Sequence, residues 1–384
     1  MAGVDDPTGQ LERLRSIKGV KWQKHGPDVL PSWVADMDLE PAPPVKDAIA
    51  QMAAKGDFGY LALGLEDLTL AWQNWVERRH GWRPPTDEIH QFTGSLHGLE
   101  AVMALHTRPG DGVVVFSPIY YPFRMAIEES GRRVVDVPLE EGSWRLDPER
   151  LRDAIDSTTK LVLFCQPHNP VGRVFDRDEI AALADVAEQH DLLVISDEVW
   201  ADLIHDPNEH LPLYLADERL RDRLVTLHSA SKAFNLAGLR CALAHVGVPH
   251  IRRQFASFSG HLLGAPSTLG AIGTIAAWNE SEWWLDEARA AITSRRDRLA
   301  QRLATEAPQI CFPVPQATYL GWLDFRQTDL GDDPAQVLLD EAGVALDQGE
   351  KFGIAGRGWA RLNFATYEPI LDEIVDRIVD RVNR

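Results

Sequence analysis

The chain has 384 residues, of which 45% are hydrophobic and 25% charged, a globular composition on a length that exceeds one ordinary core. A formal net charge of −19 and a pI near 5.1 repel phosphate backbones and anionic bilayers, which excludes nucleic acid and membrane surfaces as partners. No apolar run approaches the roughly 20 residues that cross a bilayer. The opening MAGVDDPTGQLERLR has neither the basic start nor the apolar core of a secretory signal, so a cytoplasmic protein is expected.

Residues 41–44 form a proline-rich bend. Beyond it, short β-rich runs at 113–116, 133–137, 161–165, 192–196, 224–227 and 242–246 alternate with longer amphipathic stretches such as 176–190. This βαβ rhythm predicts an α/β fold, a mainly parallel sheet covered by helices. Residues 279–303 read as one long charged helix. From about Gln309 the pattern changes to isolated strands (319–325, 360–363) separated by helices (334–342, 368–382), an α+β unit that the N-terminal segment joins. The expected division is a large domain, 46–278, and a small one built from 1–45 and 279–384. Cys165, Cys241 and Cys311 each sit in an apolar stretch without metal or redox spacing and are expected in the core. The histidines show no ligand spacing either, and no metal is expected.

Three predicted strand ends carry chemistry. HSASKAFNLAGLR (228–240) places Lys232 just after a strand among small and hydroxylated residues, where a deprotonated amine can form an imine. DEVW begins with Asp197 at the end of a very apolar strand, placed to pair with a ring cation. QPHNPVGRV sets Asn169 in a proline-rich turn, its amide free to donate. Ligands of open α/β sheets sit at such carboxyl ends. FTGSLHGLEAVM (92–103) is a turn entering a helix whose first amides, at Ser95 and Leu96, suit an anion. Near the C-terminus, GWARLNFA holds Arg361, a planar fork for a carboxylate, in an apolar context.

In this order the motifs resemble the fold-type I enzymes dependent on pyridoxal 5′-phosphate (PLP), the aspartate aminotransferase superfamily, over essentially the whole chain. The resemblance implies a PLP-dependent transferase-like fold with a large mainly parallel-sheet α/β/α domain and a smaller α+β domain. It makes Lys232 the imine lysine, Asp197 the partner of the pyridinium nitrogen and Asn169 the donor to the 3′ oxygen. Ser229, Arg240, Ser95 and Leu96 become phosphate ligands, Tyr120 the stacking ring and Arg361 the grip on the substrate carboxylate. Tyr60, in GDFGYLALG, matches the tyrosine that reaches the phosphate of a neighbouring subunit, which implies a homodimer with shared sites.

LPSWVADMDLEPAPPV (30–45), with the preceding IKGVKW, is similar to the hallmark of the MalY/PatB-type cystathionine β-lyase branch, and so is SASKAFNLAGL. That loop lies over the amino-acid substrate in the branch, which brings Asp36 to the pocket. Trp200 is a departure, because relatives carry a tyrosine or histidine three residues after the pyridinium aspartate, and an indole donates but does not exchange protons. The resemblance implies a C–S β-lyase that splits cystathionine or another cysteine S-conjugate into a thiol, pyruvate and ammonia. An aminotransferase would use the same residues, and a PLP-binding regulatory protein would bind the cofactor without turnover.

Overall fold

The structure, a computed structural model, describes residues 7–59, 64–258 and 263–384. Its strands in chain order are β1 (Leu30–Pro31), β2 (Ile89–Phe92), β3 (Gly112–Ser117), β4 (Arg133–Pro138), β5 (Thr159–Cys165), β6 (Leu193–Asp197), β7 (Leu224–His228), β8 (Ala242–Val246), β9 (Leu320–Asp324), β10 (Val344–Ala345), β11 (Asp347–Gln348) and β12 (Trp359–Asn363). Seven of them form the main sheet, in the order β2-β8-β7-β6-β5-β3-β4. All run in one sense except β8, which is antiparallel to both of its neighbours.

Both faces of this sheet are covered, which is why its strands read as unbroken apolar runs. Successive side chains point to opposite faces. Leu161, Leu163 and Cys165 of β5 therefore join one core with Ile195 and Leu193, while Val162 and Phe164 join the other with Val194 and Ile180. Each fully buried side chain of this size contributes about 1.5–3 kcal/mol. The helix Arg177–Gln189 is started by Asp176, which accepts from the Glu179 amide while Glu179 reaches back, a reciprocal cap worth about 1 kcal/mol.

The connection from β7 to β8 holds only the short helical turns Ala230–Ala233 and Ala237–Leu239, and β8 returns antiparallel. That return segment, which carries Lys232, stays at the carboxyl edge of the sheet. A second sheet, β11-β12-β9, is antiparallel. The pair β1 and β10 ties the N-terminal segment to the C-terminal third of the chain.

Three expectations need correction. The β2 strand escapes a reading of apolar runs because His90 and Gln91 interrupt IHQF at the sheet's edge. The charged helix is Glu282–Glu306, and residues 279 and 280 instead end a separate helix, Thr268–Glu280. The break is Ser281, whose backbone leaves helical geometry and whose hydroxyl donates to the Ala276 carbonyl. Cys165 and Cys241 are buried, but Cys311 is exposed, because its segment pairs with Asp324 on the rim of the small sheet. Among the described residues no helix is long and apolar enough to cross a membrane.

Candidate active site

A cleft opens at the carboxyl edge of the main sheet. Its position follows from topology, since every parallel strand delivers its following loop to this edge. Asp197 ends β6, Asn169 follows β5 by four residues, Tyr120 follows β3 by three, and Lys232 follows β7 by four. All four line the cleft, together with Ser95, Leu96, Trp200, Ser229 and Arg240.

The electrostatics of the cleft are unbalanced at its floor. Asp197 is buried and its Oδ1 has no hydrogen-bond partner. Burial lifts its pKa to about 7, against the Val199 amide and Lys232, which pull it down. A buried carboxylate without a partner is costly, and the natural remedy is a cation or a protonated ring nitrogen against Oδ1. Burial likewise lowers the pKa of Lys232, which favours the neutral amine that imine chemistry needs. Its Nζ donates to the Ala35 carbonyl at 3.0 Å.

An anion fits the opposite end. Ser95–His106 is a helix of 12 residues whose first amides have no intrahelical acceptor, and Gly94, Ser95 and Leu96 at its start all face the cleft. Ser229 and Arg240 approach from the β7–β8 connection. Ser229 Oγ is itself committed to the Cys241 carbonyl at 2.6 Å, and Arg240 holds a left-handed backbone, φ 59°. A flat ring has a wall in Tyr120, whose hydroxyl pKa burial pushes up to about 12, so it stays protonated. The donor set therefore fits PLP: anion cradle, stacking ring, carboxylate for a ring cation and amine for an aldehyde.

Arg361 and Asp36 do not line the cleft. Arg361 lies behind Asn169, almost fully buried, with Nη1 donating to Asn169 Oδ1 at 3.0 Å and Nη2 to the Trp33 carbonyl at 3.0 Å. Nη2 also pairs with Asp347 at 2.8 Å, while Nε is buried without a partner. Asp36 is half-buried, and only its neighbour Ala35 reaches the cleft. Tyr60 lies outside the described residues.

Several residues of the site escaped sequence reasoning because their importance is a contact across the chain. Asn235 donates to the Met37 and Leu39 carbonyls, both at 3.0 Å, and accepts from the Met37 amide. Asn363 donates to the Val34 and Asp36 carbonyls at 2.7 Å. Lys21 forms a buried ion pair with Asp38 at 2.8 Å, and Trp22 donates to the other oxygen of that carboxylate. Thus VKW, WVADMD, FNLAG and RLNFA are one interlocked unit, and their joint presence in the sequence was the available signal. Tyr319 completes it, donating to the same Ala35 carbonyl at 2.8 Å and packing edge-on against Trp200 at 4.9 Å. Gly172, at φ +68°, lets the turn after Asn169 press against Pro315, where a Cβ would come within 2.3 Å.

Comparisons with known proteins agree with this geometry. Cystathionine beta-lyase PatB of Bacillus subtilis is 33% identical over 92% of this chain and 93% of its own length. The cystathionine beta-lyase of Corynebacterium glutamicum is 32% identical over 96% and 98%. The crystal structure of cystalysin from Treponema denticola, which contains a pyridoxal 5′-phosphate cofactor, superposes with a TM-score of 0.90 at 30% identity over 96% and 97% of the two chains. The family model "Aminotransferase class I and II" matches residues 34–378, so the chain belongs to that family.

Proposed function

We propose that the chain is a PLP-dependent C–S β-lyase acting on cystathionine or a related cysteine S-conjugate. The observation that carries the reading is the pair across the cleft floor, Asp197 with its unpartnered oxygen and Lys232 with its low-pKa amine. PLP would be held by Ser95, Leu96, Ser229 and Arg240 at its phosphate, Tyr120 on its ring, Asn169 at its 3′ oxygen and Asp197 at its nitrogen. When bound, it supplies an electron sink for a carbanion at the α-carbon.

The chain's own residues do the rest. Arg361 receives the substrate carboxylate, exchanging part of its contact with Asn169, Trp33 and Asp347 for it. Lys232, its pKa lowered by burial and its amine held beside the loop at 33–38, takes the α-proton. With a thioether sulfur on the β-carbon, the electron pair from the broken C–H bond forms a double bond as the C–S bond breaks, and the sulfur leaves with that bond's pair as a thiolate that takes up a proton to become the thiol. Hydrolysis of the released enamine by water then gives pyruvate and ammonia. Trp200 lines the site, with Tyr319 packed edge-on against it, and its indole donates without acting as an acid–base group.

The named relatives and the WVADMD loop favour this outcome over transamination, which needs the same residues. The matching branch also supports a homodimer completed through Tyr60 and a cytoplasmic location. The test is an absorbance spectrum with cystathionine added and pyruvate assayed in the same cuvette. A band near roughly 420 nm with pyruvate release is expected. Bleaching without pyruvate would favour the aminotransferase, and no band in PLP-saturated protein would overturn the cofactor reading.

A further inference from the structure

Behind the cleft, away from its lining residues, three side chains from distant parts of the chain meet. His80 ends the helix Gly64–His80, Asp202 follows β6 by five residues, and His228 is the last residue of β7. One ligand atom from each lies within 4.8 Å of the other two. His80 Nε2 is 2.9 Å from Asp202 Oδ1, and His228 Nε2 is 3.7 Å from Asp202 Oδ2. Trp75 Nε1 sits 3.1 Å from both carboxylate oxygens and fixes their plane.

Hydrogen bonding among these groups leaves His228 unexplained. Its side chain is 3% exposed, and neither ring nitrogen has a partner. The rings of Trp72 and Trp278, each 6.0 Å away, close it off from solvent.

Charge is also unbalanced. Asp202 and, four residues earlier, Glu198 are both buried carboxylates. His210 pairs with Glu198 at 2.8 Å. Arg79, the nearby guanidinium, is felt by Asp202 but forms its ion pairs with Glu282 and Asp286.

We propose that His80, Asp202 and His228 bind one divalent transition-metal cation of the zinc class, a site separate from the catalytic cleft. Two neutral imidazoles and a carboxylate are a common zinc donor set, with bonds of roughly 2.0–2.2 Å and a fourth position for water. At that length tetrahedral ligand atoms lie roughly 3.3 Å apart, against 2.9 Å from His80 Nε2 to Oδ1 and 3.7 Å from His228 Nε2 to Oδ2, with all three ligand atoms within 4.8 Å of one another. The ion gives His228 Nε2 a partner, offsets the buried carboxylates and sits at a helix C-terminus, where positive charge is favoured. It braces that helix against the strand ends that carry Asp197 and Lys232.

The test is calorimetric titration of the chelator-stripped, PLP-bound chain with zinc chloride, with thermal midpoints measured in zinc and in chelator. The expected result is about one equivalent per chain, a higher midpoint in zinc, and affinity weakened about tenfold or more in both His80→Gln and His228→Gln with the cofactor absorbance unchanged. His80, nearest solvent, gives a variant that folds even where His228→Gln does not. Substoichiometric binding overturns the proposal. So does binding that survives His80→Gln and disappears in His250→Ala, which would place the ion at the exposed His106–His250 pair, 3.3 Å apart.

Discussion

The floor of the cleft and the loop that roofs it are built on opposite terms. The floor consists of strand ends, rigid and buried, and it leaves a charge unanswered at Asp197 Oδ1. The roof is assembled largely from residues more than 190 positions apart, and there the polar groups largely answer one another: Asn235 holds Met37 and Leu39, Asn363 holds Val34 and Asp36, and Asp347, 14 positions away, holds Arg361. A site for a resident cofactor gains affinity from an unsatisfied group that only the cofactor completes. A site for a substrate that comes and goes gains from groups that rest on one another and exchange partners.

The largest expected effect falls on the floor. Lys232→Ala removes the base, and turnover measured as pyruvate release should fall by about 10²–10⁴-fold. Retained turnover would break the assignment of roles between floor and roof.

Asp197 offers a test by pH. In the cofactor-free protein its pKa of about 7 lies well above the ordinary carboxylate value of 3.8, so between these pH values the native state holds a proton that the unfolded chain has lost. Stability should therefore fall as pH rises from about 4 to about 7 and then level, with an upper bound of about 4 kcal/mol. In cofactor-free Asp197→Asn this slope should vanish, and saturating wild type with PLP should flatten it too. Denaturant midpoints at pH 5 and 8 measure both, and a stability that rises with pH through Asp197 would mean the carboxylate already has a partner.

Asp347→Asn moves the comparison to the roof. It leaves Arg361 buried without its counter-charge, which costs about 3–5 kcal/mol in the substrate-free state. Substrate carboxylate then becomes the missing counter-ion. The expected outcome is a lower thermal midpoint with a lower KM for cystathionine. A raised KM would show that Asp347 orients Arg361 more than it competes for it.

The same contrast governs what could be read in the sequence. Floor residues are local signals: an apolar run that stops at Asp197, a small-residue turn at Lys232, a proline turn at Asn169. Each marks a strand end, and parallel topology sends all strand ends to one edge. The roof is legible only as a resemblance, because nothing in WVADMD says that Asn235 and Asn363 grip its backbone. The His80, Asp202 and His228 triad has no spacing at all, being gathered from one helix end, one turn and one strand end. Strand β2 was hidden by polar edge residues, and the break at Ser281 by a side chain that caps a helix within a charged stretch.

The smallest effect is expected where floor and roof touch. The Ala35 carbonyl accepts from both Lys232 Nζ and Tyr319 Oη. Tyr319 is fully buried, and burial raises its pKa well above the ordinary value, so it donates and does not exchange its proton. Tyr319→Phe keeps the ring against Trp200 and deletes one donor, leaving the carbonyl to Lys232 alone. A carbonyl with two lone pairs tolerates this at about 0.5–1.5 kcal/mol. Freed of its competitor, the carbonyl accepts more strongly from the amine. A protonated amine gains most from that, so the pKa of the released lysine should rise and the acid limb of the kcat pH profile should shift upward, with KM nearly unchanged. A purely structural tyrosine would lower the thermal midpoint and leave the limb in place. A large loss of kcat at every pH would instead make Tyr319 part of the proton path, which its buried, high-pKa hydroxyl argues against.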